Sequence, residues 1–181
     1  MDKNYAAWAA RWRVPAGFLL AVAYIVFSQP QWRLLLAGAS VAMVGLFIRA
    51  YAAGCLDKNA TLATGGPYAR TRNPLYFGSL IMGAGFAVAG GVWYLGLALL
   101  GLFVLIYWPV MRREEKFLRN EFGEFYARYA AAVPFFFPRL RSADLGGEPF
   151  RWNQYRKNRE YRAALGYGAA IIFLVAKMLL A

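Results

Sequence analysis

Five runs of apolar residues, each near the length of a bilayer-crossing helix, constrain this chain more than any other feature. A hydrocarbon core of roughly 30 Å takes about 20 residues of helix, with about 17 to 25 tolerated. The runs fall at about 13–29, 34–53, 75–89, 92–111 and 163–180. Only Gly90 and Gly91 separate the third run from the fourth, so those two must form a tight antiparallel hairpin. Tyr5, Trp8 and Trp12 precede the first run, and aromatic residues of this kind settle at membrane interfaces. The second run carries one charge, Arg49, near enough to its end to snorkel to the headgroups. Backbone groups in lipid must be paired internally, and unbroken apolar runs without alternating polarity favour helices over a barrel. The expected fold is all-α: one polytopic membrane domain, residues 1–181, of about five transmembrane helices with a cytoplasmic interfacial helix.

Composition agrees. Of the residues, 60% are hydrophobic and 18% aromatic, more apolar than an ordinary soluble domain. The net charge of +12 would by itself suit nucleic acid or an anionic lipid surface, and the apolar runs decide for membrane lipids and against nucleic acid. Cys55, the single cysteine, cannot form an intrachain disulfide. Without histidine the usual zinc and iron ligand sets cannot be assembled, so no metal is expected. The run beginning at Val14 reaches Ser28-Gln29-Pro30 without a small-residue cleavage pattern and reads as a retained span.

Basic residues stay preferentially on the cytoplasmic side. Lys3, Arg11 and Arg13 precede the first run, Lys58, Arg70 and Arg72 follow the second, and twelve more lie between Arg112 and Arg162. The opposite side has Arg33 and, near the end of the fifth run, Lys177. Five spans with a cytoplasmic N-terminus reproduce this asymmetry, as in a multi-pass protein of a prokaryotic inner membrane. Function is then expected in the two cytoplasmic pieces, 54–74 and 112–162. In the second, Phe117, Leu118, Phe122, Phe125, Tyr126 and Tyr129 fall near one helical face, which suits a helix lying on the membrane and closing over the bundle.

Three constellations carry chemistry. Gly66-Pro67-Tyr68 through Arg72-Asn73-Pro74 to Tyr76 forms an irregular stretch at the membrane edge. Its arginines, tyrosines and free amides suit a polar ligand, and equally a topological anchor. Gly83-Ala84-Gly85 lies inside the third run, where small residues admit a flat ligand or, more commonly, a second helix. Glu114-Glu115 sits at the end of the fourth run beside Arg112, Arg113 and Lys116, either as a functional acid pair or as a solvated ion cluster.

In this order the motifs, with Glu114-Glu115-Lys116-Phe117-Leu118, Phe122-Gly123, Tyr126, Tyr129 and Val133-Pro134 behind the hairpin, resemble the isoprenylcysteine carboxyl methyltransferase family. Phospholipid N-methyltransferase relatives share the Gly-x-Gly and Glu-Glu pairs. The resemblance covers about residues 40–138. It implies S-adenosylmethionine as cofactor, held by Tyr68, Arg72, Asn73, Pro74 and Tyr76, with Gly83 and Gly85 allowing close approach and Glu114 and Glu115 supplying the acidic side. The family usually has histidine where Asn73 stands, and asparagine cannot titrate.

The resemblance also implies a lipophilic small-molecule or lipid acceptor. A carboxylate arrives ready to attack, whereas an amine or thiol must lose a proton, and the chain has no histidine to take it. That favours carboxyl O-methylation of isoprenylcysteine type, with Arg112, Arg113 or Arg128 holding the carboxylate and Glu114 as the other candidate catalytic group. Phospholipid amine or small-thiol methylation stays open. So do an NADPH-dependent membrane reductase, since sterol reductases have a similar Arg-x-Pro-x-Tyr region, and a non-catalytic membrane protein.

Overall fold

The computed structural model describes residues 3–57 and 61–180. Its elements in chain order are α1 (Lys3–Phe27), α2 (Trp32–Cys55), a 3-10 turn (Gly66–Ala69), α3 (Pro74–Ala89), α4 (Trp93–Leu102), α5 (Trp108–Ala132), α6 (Trp152–Lys157) and α7 (Tyr161–Leu180). A π-helical turn, Phe103–Tyr107, joins α4 to α5 without a break. Trp32–Cys55, Trp93–Ala132 and Tyr161–Leu180 are long and apolar enough to cross a membrane, and Val14–Phe27 and Pro74–Ala89 are shorter apolar helices. Each of the five contains or closely matches one of the five runs, and no strand occurs among the described residues. The chain is a helical membrane bundle.

Close packing of α2 on α3 builds its centre. Gly38, Ala42 and Gly45 on α2 face Gly78, Met82, Gly85 and Ala89 on α3, at helical spacing on both sides. A Cβ added at Gly38, Gly45 or Gly85 would collide with the backbone of the opposite helix. In lipid, where apolar burial drives little association, such small-residue stripes let dispersion hold helices together. Gly90 and Gly91 make the expected hairpin into α4; Gly91 takes φ 68°, a left-handed conformation open to glycine without a Cβ penalty.

Two sequence expectations change. The fourth run does not end at 111: no residue there stops a helix, and α4, the π-turn and α5 continue through to Ala132, just ahead of Pro134. The helix bends at Gly123 (φ 50°, ψ −123°), beyond which Tyr126 and Tyr129 are buried against Leu62, Leu118, Phe122 and Val133. Phe117 and Phe125 of the same stretch stay exposed. Lys177, near the end of α7, is tied to α1. Its Nζ donates to the carbonyls of Ile25 (2.7 Å) and Val26 (3.0 Å) at the C-terminus of α1, where a cation meets the negative end of the helix dipole.

The basic segment 151–162 is tied to the end of α2. The Arg151 amide donates to the Gly54 carbonyl (2.9 Å), and Asn158 Nδ2 donates to the carbonyls of Ala53 (2.9 Å) and Leu56 (2.8 Å). These bonds occupy acceptors that the end of α2 would otherwise leave open. Lys157 and Arg151 both pair with Asp57, at 3.1 and 3.7 Å. Arg156, Arg159 and Arg162 remain exposed.

Candidate active site

At the basic end of the bundle, the stretch after the 3-10 turn is laced to the strap that follows α5. The Arg72 amide donates to the Pro134 carbonyl (2.9 Å), Asn73 Nδ2 to the Phe135 carbonyl (2.8 Å) and the Thr71 hydroxyl to the Phe136 carbonyl (2.7 Å). The Tyr129 hydroxyl donates to the Tyr68 carbonyl (2.9 Å). Pro74 then opens α3 at a position where its missing N–H costs nothing. The irregular backbone is therefore satisfied by protein, and its side chains are set.

Those side chains line a cavity of about 1090 Å³. Tyr68, Arg72, Asn73, Pro74, Tyr76, Glu114 and Glu115 all contribute to its wall, so the structure brings together the motif residues of both cytoplasmic pieces. The Tyr76 hydroxyl donates to Glu114 Oε1 at 2.9 Å. Glu115 gathers three guanidiniums: Arg72, Arg112 at 3.0 Å and Arg119 at 4.0 Å. Arg72 Nη1 also reaches the Tyr126 hydroxyl (3.5 Å), while its Nε is buried without a hydrogen-bond partner. A buried donor of that kind is costly unless something accepts from it. Burial, reinforced by Tyr129, pushes the Tyr68 hydroxyl well above its usual range, so it stays protonated as a donor.

Gly83 and Gly85 are not part of this wall. A Cβ at Gly85 would meet Ala42 and Gly38 of α2, and one at Gly83 would meet Leu99 of α4, so protein already fills the space beside both. Arg112, Arg113 and Arg128 do not line the cavity either. Arg112 is drawn onto Glu115 and lies over the Phe135 ring, 4.1 Å from its centroid, and Arg113 and Arg128 are exposed on α5.

Arg49, Ser79, Asn158 and Glu160 are among the wall residues that the sequence reading did not assign to a site. Arg49 does not snorkel. Its Nε and Nη2 donate to the two carboxylate oxygens of Glu160 at 2.7 and 3.1 Å, and its Nη1 reaches Ser79 Oγ and the Leu75 carbonyl. A lone arginine within an apolar span was the available signal, since ionisable groups at such depth are costly unless paired or functional. Its partner, 111 positions away in a basic run, gave none.

Among the described residues, the wall holds the carboxylates Asp57, Glu114, Glu115, Glu121 and Glu160 against the guanidiniums Arg49 and Arg72. Carboxylates thus outnumber guanidiniums on the lining itself, while Arg112, Arg119, Arg151 and Lys157 pair with Glu115 and Asp57 from outside it, and the rings of Tyr68, Tyr76, Tyr107, Phe122 and Tyr126 complete the wall. Such a wall suits a cationic ligand, through carboxylates and aromatic faces together. On the side of α1, Val14, Gly17, Phe18 and Ala21 make the lining apolar.

A family model described as phospholipid methyltransferase matches residues 18–125, more than half of the chain. The chain is 39% identical over 142 residues to the cobalt-zinc-cadmium resistance protein CzcN of Cupriavidus metallidurans, a match covering 71% of this chain and 62% of that protein. It is 36% identical over 104 residues to the nickel-cobalt-cadmium resistance protein NccN of Alcaligenes xylosoxydans xylosoxydans, covering 57% and 47%. The chain thus spans less than two thirds of either relative. No solved structure matches it. With its motif residues gathered in one cavity and its family model matched across the core of the bundle, the chain belongs to the phospholipid methyltransferase family.

Proposed function

We propose that the chain is an S-adenosylmethionine-dependent membrane methyltransferase acting on a lipophilic acceptor whose reacting group is an amine. The observation that carries this reading is the cavity, lined by carboxylates and aromatic rings, in which the motif residues of the two cytoplasmic pieces meet. The cofactor is a zwitterion with a cationic sulfur, and the wall offers each part a partner. The Arg72 guanidinium suits its carboxylate, the carboxylates of α5 its ammonium, and the tyrosine rings its sulfonium. When bound, the cofactor supplies an activated methyl group. The rest is the work of this chain: aligning the acceptor, excluding water and taking a proton. The cavity of about 1090 Å³ lies at the top of the roughly 300–1,000 Å³ range of small-molecule sites, which leaves room for part of a second ligand. The apolar face of α1 suits its hydrocarbon chain.

The charge of the wall favours an amine over a carboxylate. The arginines expected to hold a carboxylate lie outside the cavity, and the two inside are already paired, with Glu115 and Glu160. An acceptor anion would find on the lining only Arg49, paired with Glu160, and Arg72, engaged by Glu115 and the cofactor, whereas an ammonium would find the carboxylates of Glu114 and Glu121 able to hold it and take its proton. The same reading sets the basic end on the cytoplasmic side, supported by the asymmetry of lysine and arginine.

Isothermal calorimetry on the purified chain in detergent micelles tests the cofactor assignment. One-site binding of S-adenosylmethionine is expected, weakened about tenfold by Glu114→Ala, the loss of one charge-assisted contact. Absence of heat with the wild-type chain would overturn it.

A further inference from the structure

The Arg49–Glu160 pair belongs to the cavity wall, yet Glu160 lies beyond the span matched by the family model, at the junction of α6 and α7. The backbone makes a special effort to deliver it. Arg159, the residue before it, adopts φ 55°, a conformation that carries a steric penalty for any residue with a Cβ. Asn158, the residue before that, is clamped to the carboxyl end of α2 by two side-chain hydrogen bonds. The clamp and the left-handed turn together aim Glu160 inward, where it is 8% exposed.

What Glu160 meets there is an arginine whose other edge holds α3. The bidentate contact fixes the plane of the Arg49 guanidinium. With that plane fixed, Nη1 lies against the Leu75 carbonyl and Ser79 Oγ, and Ser79 Oγ itself donates to the Leu75 carbonyl at 2.7 Å. Leu75 sits between Pro74 and Tyr76 in the first turn of α3, the turn that presents Tyr76 to Glu114. The first turn of a helix lacks internal partners for its N–H groups and is the part most easily displaced. A single network thus runs from α7 through α2 to the motif residues of α3.

We propose that Glu160 is a positioning residue for the cofactor: acting through Arg49, it holds the first turn of α3 in the register that the cavity requires. The proposal rests on the cofactor reading given above. It assigns the segment 152–180 to the site, where the family motifs would make it an appendage. A helix-anchoring ion pair alone would require only that α7 stay docked. The positioning role requires in addition that the Arg49 contacts to Leu75 and Ser79 survive, and this separates the two.

The test compares Glu160→Gln, Arg49→Met and the double variant with the wild-type chain, by thermal unfolding in detergent without cofactor and by calorimetric titration with S-adenosylmethionine. Each single change strands a partner in the wall and lowers the unfolding temperature; removing both buried charges together restores much of it, because no uncompensated charge is then left in the wall. Cofactor affinity is expected to fall about tenfold in the double variant despite that recovery, since the contact to Leu75 is gone. Glu160→Asp, which keeps the charge, should hold affinity nearer to wild type than Glu160→Gln. Recovery of affinity in step with stability in the double variant would overturn the positioning role and leave the cofactor reading standing. Wild-type protein that fails to bind would overturn both.

Discussion

Glu115 is the residue on which most of the cavity's electrostatics converge, and its neighbour Glu114 has a different task. Glu115 compensates Arg72, Arg112 and Arg119, and its contact with Arg72 is largely shielded from solvent, at 12% and 13% exposure. Glu115→Ala strands the Arg72 guanidinium and should cost about 3 kcal/mol, the low end for breaking a buried pair. Glu114 is exposed and accepts from Tyr76, so Glu114→Ala should leave stability near wild type while weakening cofactor binding. Thermal unfolding of the two variants, each with and without S-adenosylmethionine, checks the contrast; equal unfolding temperatures without cofactor would contradict it. The adjacency of the acids was plain in the sequence, but their division of labour was not. It follows from which way each points from α5, and the arginine that selects Glu115 comes from a loop 43 positions away. Asn73 is the converse case. Its place in the motif was legible, and the structure adds that its amide holds the strap at Phe135.

At the scale of elements, the α2–α3 interface decides whether a cavity exists at all. Gly45 meets the backbone of Gly78 and Met82, so Gly45→Leu forces the two helices apart, at no less than the roughly 1–3 kcal/mol typical of overpacking. Gly101, on α4, has nothing within 4 Å of an added Cβ, and Gly101→Ala should be neutral or stabilising by up to ~1 kcal/mol through helix propensity. Size-exclusion profiles and unfolding temperatures in detergent distinguish them, and similar behaviour of the two variants would contradict the packing described. The five spans were legible because lipid demands long apolar helices. The purpose of Gly83-Ala84-Gly85 was not, because small residues serve a ligand and a helix neighbour equally well; only the position of Ala42 and Leu99 beside them decides for packing. The continuation of α4 into α5 was hidden for a related reason. A change from apolar to charged residues marks the edge of the membrane, not the end of a helix.

For the whole molecule, the central fact is an acidic, aromatic cavity at the basic end of a membrane bundle. The excess of lysine and arginine orients the helices, and the acids, two of them paired with Arg49 and Arg72, set what can bind. The overall charge was visible in the sequence; which carboxylates line the cavity was not, because it depends on which of the charged residues turn inward. Methyl transfer to a lipophilic amine is the chemistry that this division suits. The most direct measurement is transfer of labelled methyl from S-adenosylmethionine to a total lipid extract by membranes containing the chain, with alkaline treatment of the labelled product. Label that resists alkali and migrates with amine-headgroup lipid is the expected result. Label released by alkali as methanol, the mark of a methyl ester, or no transfer at all would contradict it.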